Sequence, residues 1–146
     1  MNKRIAQAPL RRSMLGVTLL ELMAVVMVIG ILGMIALPSY RQFVMRAQRT
    51  EAKNALLRLQ TNQERFYLAN RTYSADPVAL GFTASQSERG TYTIAVGAAD
   101  ANGYTATATP RAGANIDMTA DAQCTSFSIT AQGVRTATGT GAANCW

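Results

Sequence analysis

The sequence predicts an α+β fold: a long N-terminal kinked α-helix packed on a four-stranded antiparallel sheet, with a C-terminal disulfide loop. Three observations carry this expectation. Residues 17–37 are almost wholly apolar, interrupted by Thr18 and Glu21. Helical spacing then continues to about Leu68. Beyond residue 90 the pattern changes to short alternating runs, and the only two cysteines, Cys124 and Cys145, lie near the end.

The first 16 residues are short, basic and unpatterned. The apolar run that follows would be about 32 Å long as a helix, which matches the hydrocarbon core of a bilayer. A cleaved secretory signal has a shorter apolar core, so a retained membrane helix fits better. Pro38 removes one backbone donor and should bend the helix without ending it, because helical spacing resumes at once. From Tyr40 onward the apolar positions Tyr40, Phe43, Val44, Ala47, Ala52, Ala55, Leu56, Leu59 and Phe66 paint one stripe, with most cations elsewhere. An amphipathic half-helix needs a cover for that stripe.

The stretch "NRTYSADPVALGFTASQSERG" (70–90) reads as a loop. "TYTIAV" (91–96), "YTATATP" (104–110), "CTSFSIT" (124–130) and "VRTAT" (134–138) then alternate as strands, joined by turn residues at "ADANG" and "AQG". Four antiparallel strands with one polar face outward can bury the other face on the half-helix.

Composition narrows the chemistry. The net charge of +6 falls to +2 when residues 1–16, with Lys3, Arg4, Arg11 and Arg12, are set aside. The basicity therefore belongs mostly to the leader and does not by itself indicate nucleic acid. There is no histidine, so the commonest general base and metal ligand is missing. Two thiols without histidine make a poor zinc site. In a small domain behind a membrane-targeting segment, a Cys124–Cys145 disulfide is the better reading; two unrelated buried thiols are the alternative. A bridge would close a loop of about 20 residues and contribute roughly 3 kcal/mol.

Glu21 stands near the start of the greasiest segment. A charge within a membrane helix costs on the order of 3 kcal/mol at the centre and marks a function by default. The bland alternative is a side chain that snorkels at headgroup depth. If the chain is cut after Gly16, Val17 carries a new amine and Glu21 is the fifth residue, about 6 Å along the axis. Helix geometry does not favour their pairing within one chain. Between copies staggered along an axis, each carboxylate can meet a neighbour's amine, and neither charge stays unpaired in an apolar medium.

The segment "GVTLLELM" resembles the processing site of type IV prepilins, which bear a class III signal peptide. The resemblance implies a type IV pilin fold and several residue roles. Gly16 precedes the cut made by the prepilin peptidase, which is also the methyltransferase, and Val17 becomes the N-methylated first residue. Glu21 is the assembly carboxylate. Gly30, Gly33 and Pro38 match the weak region of the family's helix. Val17 stands where the family usually has Phe, and the leader is longer than many. The implied divisions are 1–16 as cleaved leader, 17–39 as transmembrane and assembly half-helix, and 40–146 as periplasmic head. The head holds the loop 70–90 and the disulfide loop 124–145. "QERFYLANRTYSAD", "YTATATP" and the terminal "CW" resemble PilE-type minor pilins.

The expected function is therefore a structural subunit of a type IV pilus, a PilE-type minor pilin that helps prime assembly and enters the filament. Alternatives are a DNA-uptake (competence) pilin and a type II secretion pseudopilin; the cysteine pair argues against the last. Implied partners are major and minor pilin subunits, the prepilin peptidase, an inner-membrane assembly platform, and membrane lipid before assembly. Nucleic acid is not expected among them. An oxidised C-terminus places the head outside the cytosol, so the precursor is a single-pass inner-membrane protein with its N-terminus cytoplasmic, later part of an extracellular pilus. No cofactor or metal is expected. Asp117 and Asp121 are acids without a calcium-loop pattern. Arg41, Arg46, Arg49 and Lys53 suit a membrane rim or acids of a neighbouring subunit better than phosphate. Phe66, Tyr67 and Tyr73 suit a loop held on a helix better than a stacking platform. With no nucleophile constellation, the chain reads as a peptidase substrate and not an enzyme.

Overall fold

A computed structural model describes residues 16–146. The leader cations Lys3, Arg4, Arg11 and Arg12 lie outside the described residues. The chain divides into two compact units, one ending at Ser39 and one spanning Tyr40–Trp146. Helix α1, Leu19–Asn70, contributes to both, and its helical assignment runs through Pro38.

In the first unit no described residue covers the helix. Leu19 is 77% exposed and Met34 82%, and the other large apolar side chains between them are exposed too. The segment is long and apolar enough to cross a membrane. Such a surface is expected of a helix whose solvent is lipid or other apolar helices.

The second unit is a helix on a sheet. Strands β1 (Tyr92–Gly97), β2 (Thr105–Pro110), β3 (Ser126–Thr130) and β4 (Arg135–Thr138) form an antiparallel sheet in sequence order. The alternation in each strand sets the register. Ile94 pairs with Ala108, which pairs with Phe127, which pairs with Ala137. These residues turn inward with Tyr92, Ala106 and Ile129. The helix presents Ala52, Ala55, Leu56 and Leu59 to the same core. Small alanines let the helix approach closely while the leucines fill the gaps.

The stripe differs at its start from the sequence expectation. Tyr40 and Phe43 are 67% and 70% exposed, because the packed face begins with the partly buried Met45 and the buried Gln48. Two glutamines are buried where apolar residues are the usual choice. Gln63 replaces a strand partner: its Nε2 donates to the Ser74 carbonyl at 2.7 Å, and its Oε1 accepts from the Ser74 N–H at 2.9 Å. One side chain thereby satisfies both backbone groups of a buried loop residue. Gln48 Oε1 and the Tyr92 and Tyr104 hydroxyls are buried without a hydrogen-bond partner among the described residues. Burial, then Glu64 and Tyr73, pushes the Tyr104 phenol up to about 12.

Candidate functional site

The first candidate site is the beginning of α1. Thr18 caps the helix: its Oγ1 accepts the Glu21 N–H at 3.2 Å, and its carbonyl accepts the Leu22 N–H at 3.1 Å. This satisfies one of the free donors of the first turn. The sequence reading missed this cap, although Thr-x-x-Glu over 18–21 is the known signal. Glu21 therefore sits at the third helical position, where the helix dipole favours an anion. Its side chain is exposed, and among the described residues no cation lies within ion-pair distance. Gly16 and Val17 precede the helix and are exposed, Val17 at 69%. Gly30 and Gly33 have open space where a side chain would stand. In surface terms, this segment is one isolated carboxylate on an otherwise apolar, unpacked helix.

The head is built to hold its loops rigidly. Glu51 on α1 accepts from the Ser87 hydroxyl at 2.6 Å, the Arg89 N–H at 2.9 Å and the Thr91 hydroxyl at 2.9 Å. One helix carboxylate thereby pins the end of the 70–90 loop and the start of the sheet. Asn62 Nδ2 donates to the Leu80 carbonyl at 2.8 Å, and the Arg58 guanidinium lies 5.3 Å from the centre of the Phe82 ring. Tyr67 stacks on Tyr73 at 4.7 Å, and Tyr73 meets Tyr104 edge-on at 5.0 Å. These tyrosines hold the loop against the helix and the sheet, so they are not a free stacking platform. A cleft of about 400 Å³ opens between α1 and the loop, lined by Ala47, Asn54, Arg58, Phe82, Glu88 and Arg89 among others.

Arg49 corrects the sequence reading. It does not wait for an acid of a neighbouring subunit. It forms a two-pronged ion pair with Asp121 of its own chain, both contacts at 2.7 Å, and donates to Gln123 Oε1 at 3.0 Å. Asp121 also accepts from the N–H groups of Gln123 and Cys124. Burial works to raise the pKa of Asp121. The Arg49 hydrogen bond and charge outweigh it, with help from those N–H groups, and hold the carboxyl below its ordinary value. Asp121 is thus committed to structure and not to calcium. Asp117 bonds the Thr119 N–H and hydroxyl. Among the described residues no group of three or more His, Cys, Asp and Glu could hold a metal ion.

Cys124 and Cys145 form the disulfide. It fastens the C-terminal segment beside β4, where Trp146 Nε1 donates to the Thr136 carbonyl at 2.6 Å and its ring meets Phe127 edge-on. Gly139 makes this closure possible. At its φ of +124° a Cβ would stand 2.3 Å from the Gln123 carbonyl oxygen, so only glycine fits.

Comparison with known proteins follows the same division. Residues 38–128, most of the head, match the family described as type IV minor pilin ComP, DNA uptake sequence receptor. The chain is 39% identical over 85 residues to the type IV major pilin protein PilA of Myxococcus xanthus, covering 58% of this chain and 39% of that one. It is 38% identical over 88 residues to the fimbrial protein EcpC of Eikenella corrodens, covering 60% and 58% respectively. The chain thus spans well under two thirds of the length of these curated relatives. A solved type IV pilin from Shewanella oneidensis matches at 24% identity and a TM-score of 0.46, covering 70% of this chain and 97% of that one. With a long apolar N-terminal helix, an α-on-β head and a match over residues 38–128, the chain belongs to the family of type IV minor pilins described under ComP.

Proposed function

We propose that this protein is a subunit of a type IV pilus, a minor one that helps prime growth and enters the filament. The observation that carries this reading is the union in one chain of an uncovered apolar helix and a head that matches the minor pilin family. An uncovered helix of this kind is stable in lipid, and equally among other helices of its kind. The same surface therefore suits storage in a membrane and assembly into a fibre.

The route has three steps. The leader is removed after Gly16 by a prepilin peptidase, which methylates Val17. The chain waits as a single-pass inner-membrane protein, residues 17–39 in the bilayer and the disulfide-bonded head 40–146 in the periplasm. On an inner-membrane assembly platform it joins other pilins, and Glu21 meets the Val17 amine of an adjacent copy. Gly30, Gly33 and Pro38 form a segment that can give way during packing, since two glycines and a missing donor weaken the ladder. The chain does no chemistry of its own. N-terminal mass spectrometry of protein from membranes and from sheared filaments tests the route. Methylated Val17 as first residue in filaments is the expected result; an intact Met1 there overturns it.

The matched family's description favours a second reading, in which the pilus subunit also receives DNA. The strands carry one cation, Arg135, whose guanidinium lies over Trp146 at 5.5 Å. A phosphate-contacting surface would lie on α1 and the following loop, where Arg58 and Arg89 flank the cleft. Filter binding with the full chain decides. Under this reading Arg58→Ala with Arg89→Ala weakens binding and lowers its salt slope by roughly 2.

A further inference from the structure

The first residues of the second unit differ from those that follow. Tyr40 and Phe43 are exposed, and so are Arg41 and Arg46. From Leu22 to Thr50 helix α1 carries no acid. Of the arginines in that stretch, Arg49 is engaged by Asp121, whereas Arg41 and Arg46 have no ion-pair partner among the described residues. A hollow of about 200 Å³ opens beside them, lined by Gln42, Met45, Arg46 and Arg49 of α1 and by residues 120–123. Asp121 is the one acid in its wall, and the two-pronged pair with Arg49 neutralises it. Arg46 therefore leaves the hollow net positive, next to the Gln42 amide.

Position along the chain indicates the partner. Glu21 and Arg41 are 20 positions apart on α1, with no charged residue between them. That is about 30 Å of helical rise, the thickness of a bilayer's hydrocarbon core. With Glu21 at one boundary, Tyr40 and Arg41 fall at the other, and Phe43 and Arg46 lie about 3 and 7.5 Å beyond it, at headgroup depth. Side chains of a helix lean toward its N-terminus, so the Phe43 ring reaches back toward the apolar run. Tyrosine is favoured at such an interface, and a guanidinium there meets phosphate oxygens.

We propose that residues 40–46 and the adjoining hollow bind the headgroups of anionic phospholipid. Tyr40 and Phe43 lie at the edge of the hydrocarbon, Arg41 and Arg46 pair with lipid phosphates, and the hollow takes one headgroup against Arg46 and Gln42. A zwitterionic headgroup brings its own ammonium, which the two unpaired guanidiniums repel; an anionic headgroup does not. This contact rests on the membrane-inserted stage of the proposed function and adds to it a choice of lipid.

Photo-cross-linking of the full chain in vesicles tests this. The vesicles hold phosphatidylglycerol and phosphatidylethanolamine in equal amounts, the native disulfide stays oxidised, and Gln42→Cys carries a benzophenone label. Mass spectrometry identifies the lipid attached. Phosphatidylglycerol adducts should outnumber phosphatidylethanolamine adducts by about fivefold, since a cation near the surface favours an anionic lipid by roughly that factor. Raising salt from roughly 0.05 to 0.5 M should lower the preference. Arg41→Gln with Arg46→Gln should abolish it and leave head melting unchanged, because both side chains are exposed. Equal adducts from the chain that keeps both arginines, or a preference that survives their substitution, overturn the proposal. Sedimentation with the vesicles in alkaline carbonate separates two failures. A chain retained without lipid preference removes only the lipid contact, whereas a chain washed out removes the membrane-inserted stage as well.

Discussion

The two parts of α1 solve opposite problems with similar residues. Before Ser39 the apolar side chains are all uncovered, and the helix depends on its surroundings. After Gln48 they are fewer and smaller, yet Ala52, Leu56 and Leu59 are fully buried by the sheet. Apolar content alone does not decide stability. What decides it is whether the same chain supplies the cover. The head closes its core with its own strands, loops and disulfide, whereas no described residue covers the first segment.

That contrast can be broken at specific points. Leu56→Ala and Leu59→Ala should each destabilise the head by about 3 kcal/mol, read from chemical denaturation of the head. Val28→Ala or Leu32→Ala in the first segment should leave the same transition in place. A loss of similar size from both groups would mean that the two parts do not differ in this way. Next in size, Cys145→Ser should cost roughly 3 kcal/mol or somewhat less, by freeing a loop with a sequence separation of 21 residues. Gly139→Ala should have a comparable effect by a different route, since its Cβ has no room beside Gln123. Double substitution should then add little, because both release the same segment.

Asp121 gives a smaller, pH-dependent effect. Its pKa is lower in the folded head than in the unfolded chain. Its contribution is therefore fully present above the unfolded value near 3.9, and is lost as pH falls through the folded value. Asp121→Asn should flatten the acid limb of head stability below about pH 4 and cost about 2 kcal/mol at neutral pH. The smallest effect belongs to the helix cap. Thr18→Ala should loosen the first turn by about 1 kcal/mol, visible in amide exchange at residues 19–22 and absent from head melting.

Much of the head was legible because its signals are local. Strict alternation in "TYTIAV" and "YTATATP" gives strand, face and register together, and the helix extends within two residues of the expected limits. The apolar run is equally local. What escaped depends on partners far along the chain. Arg49 and Asp121 are 72 residues apart, and Glu51 binds groups 36 to 40 residues away. No spacing rule links them, so the sequence left Arg49 as a cation for a membrane rim or a neighbouring subunit and Asp121 as an acid without a partner. Gln48 and Gln63 look like surface residues, and only the position of Ser74 explains the burial of Gln63. Tyr40 and Phe43 continue the stripe in sequence but lie beyond the packed face.

The central claim is that Glu21 serves assembly and not anchoring. Its most direct test is the ratio of filament-borne to membrane-borne protein, measured by quantitative mass spectrometry, for Glu21→Ala beside the unaltered chain. The account predicts normal leader removal and membrane level, with the ratio lowered at least about tenfold, because the neighbour's amine is left without its counter-charge. An unchanged ratio would contradict it.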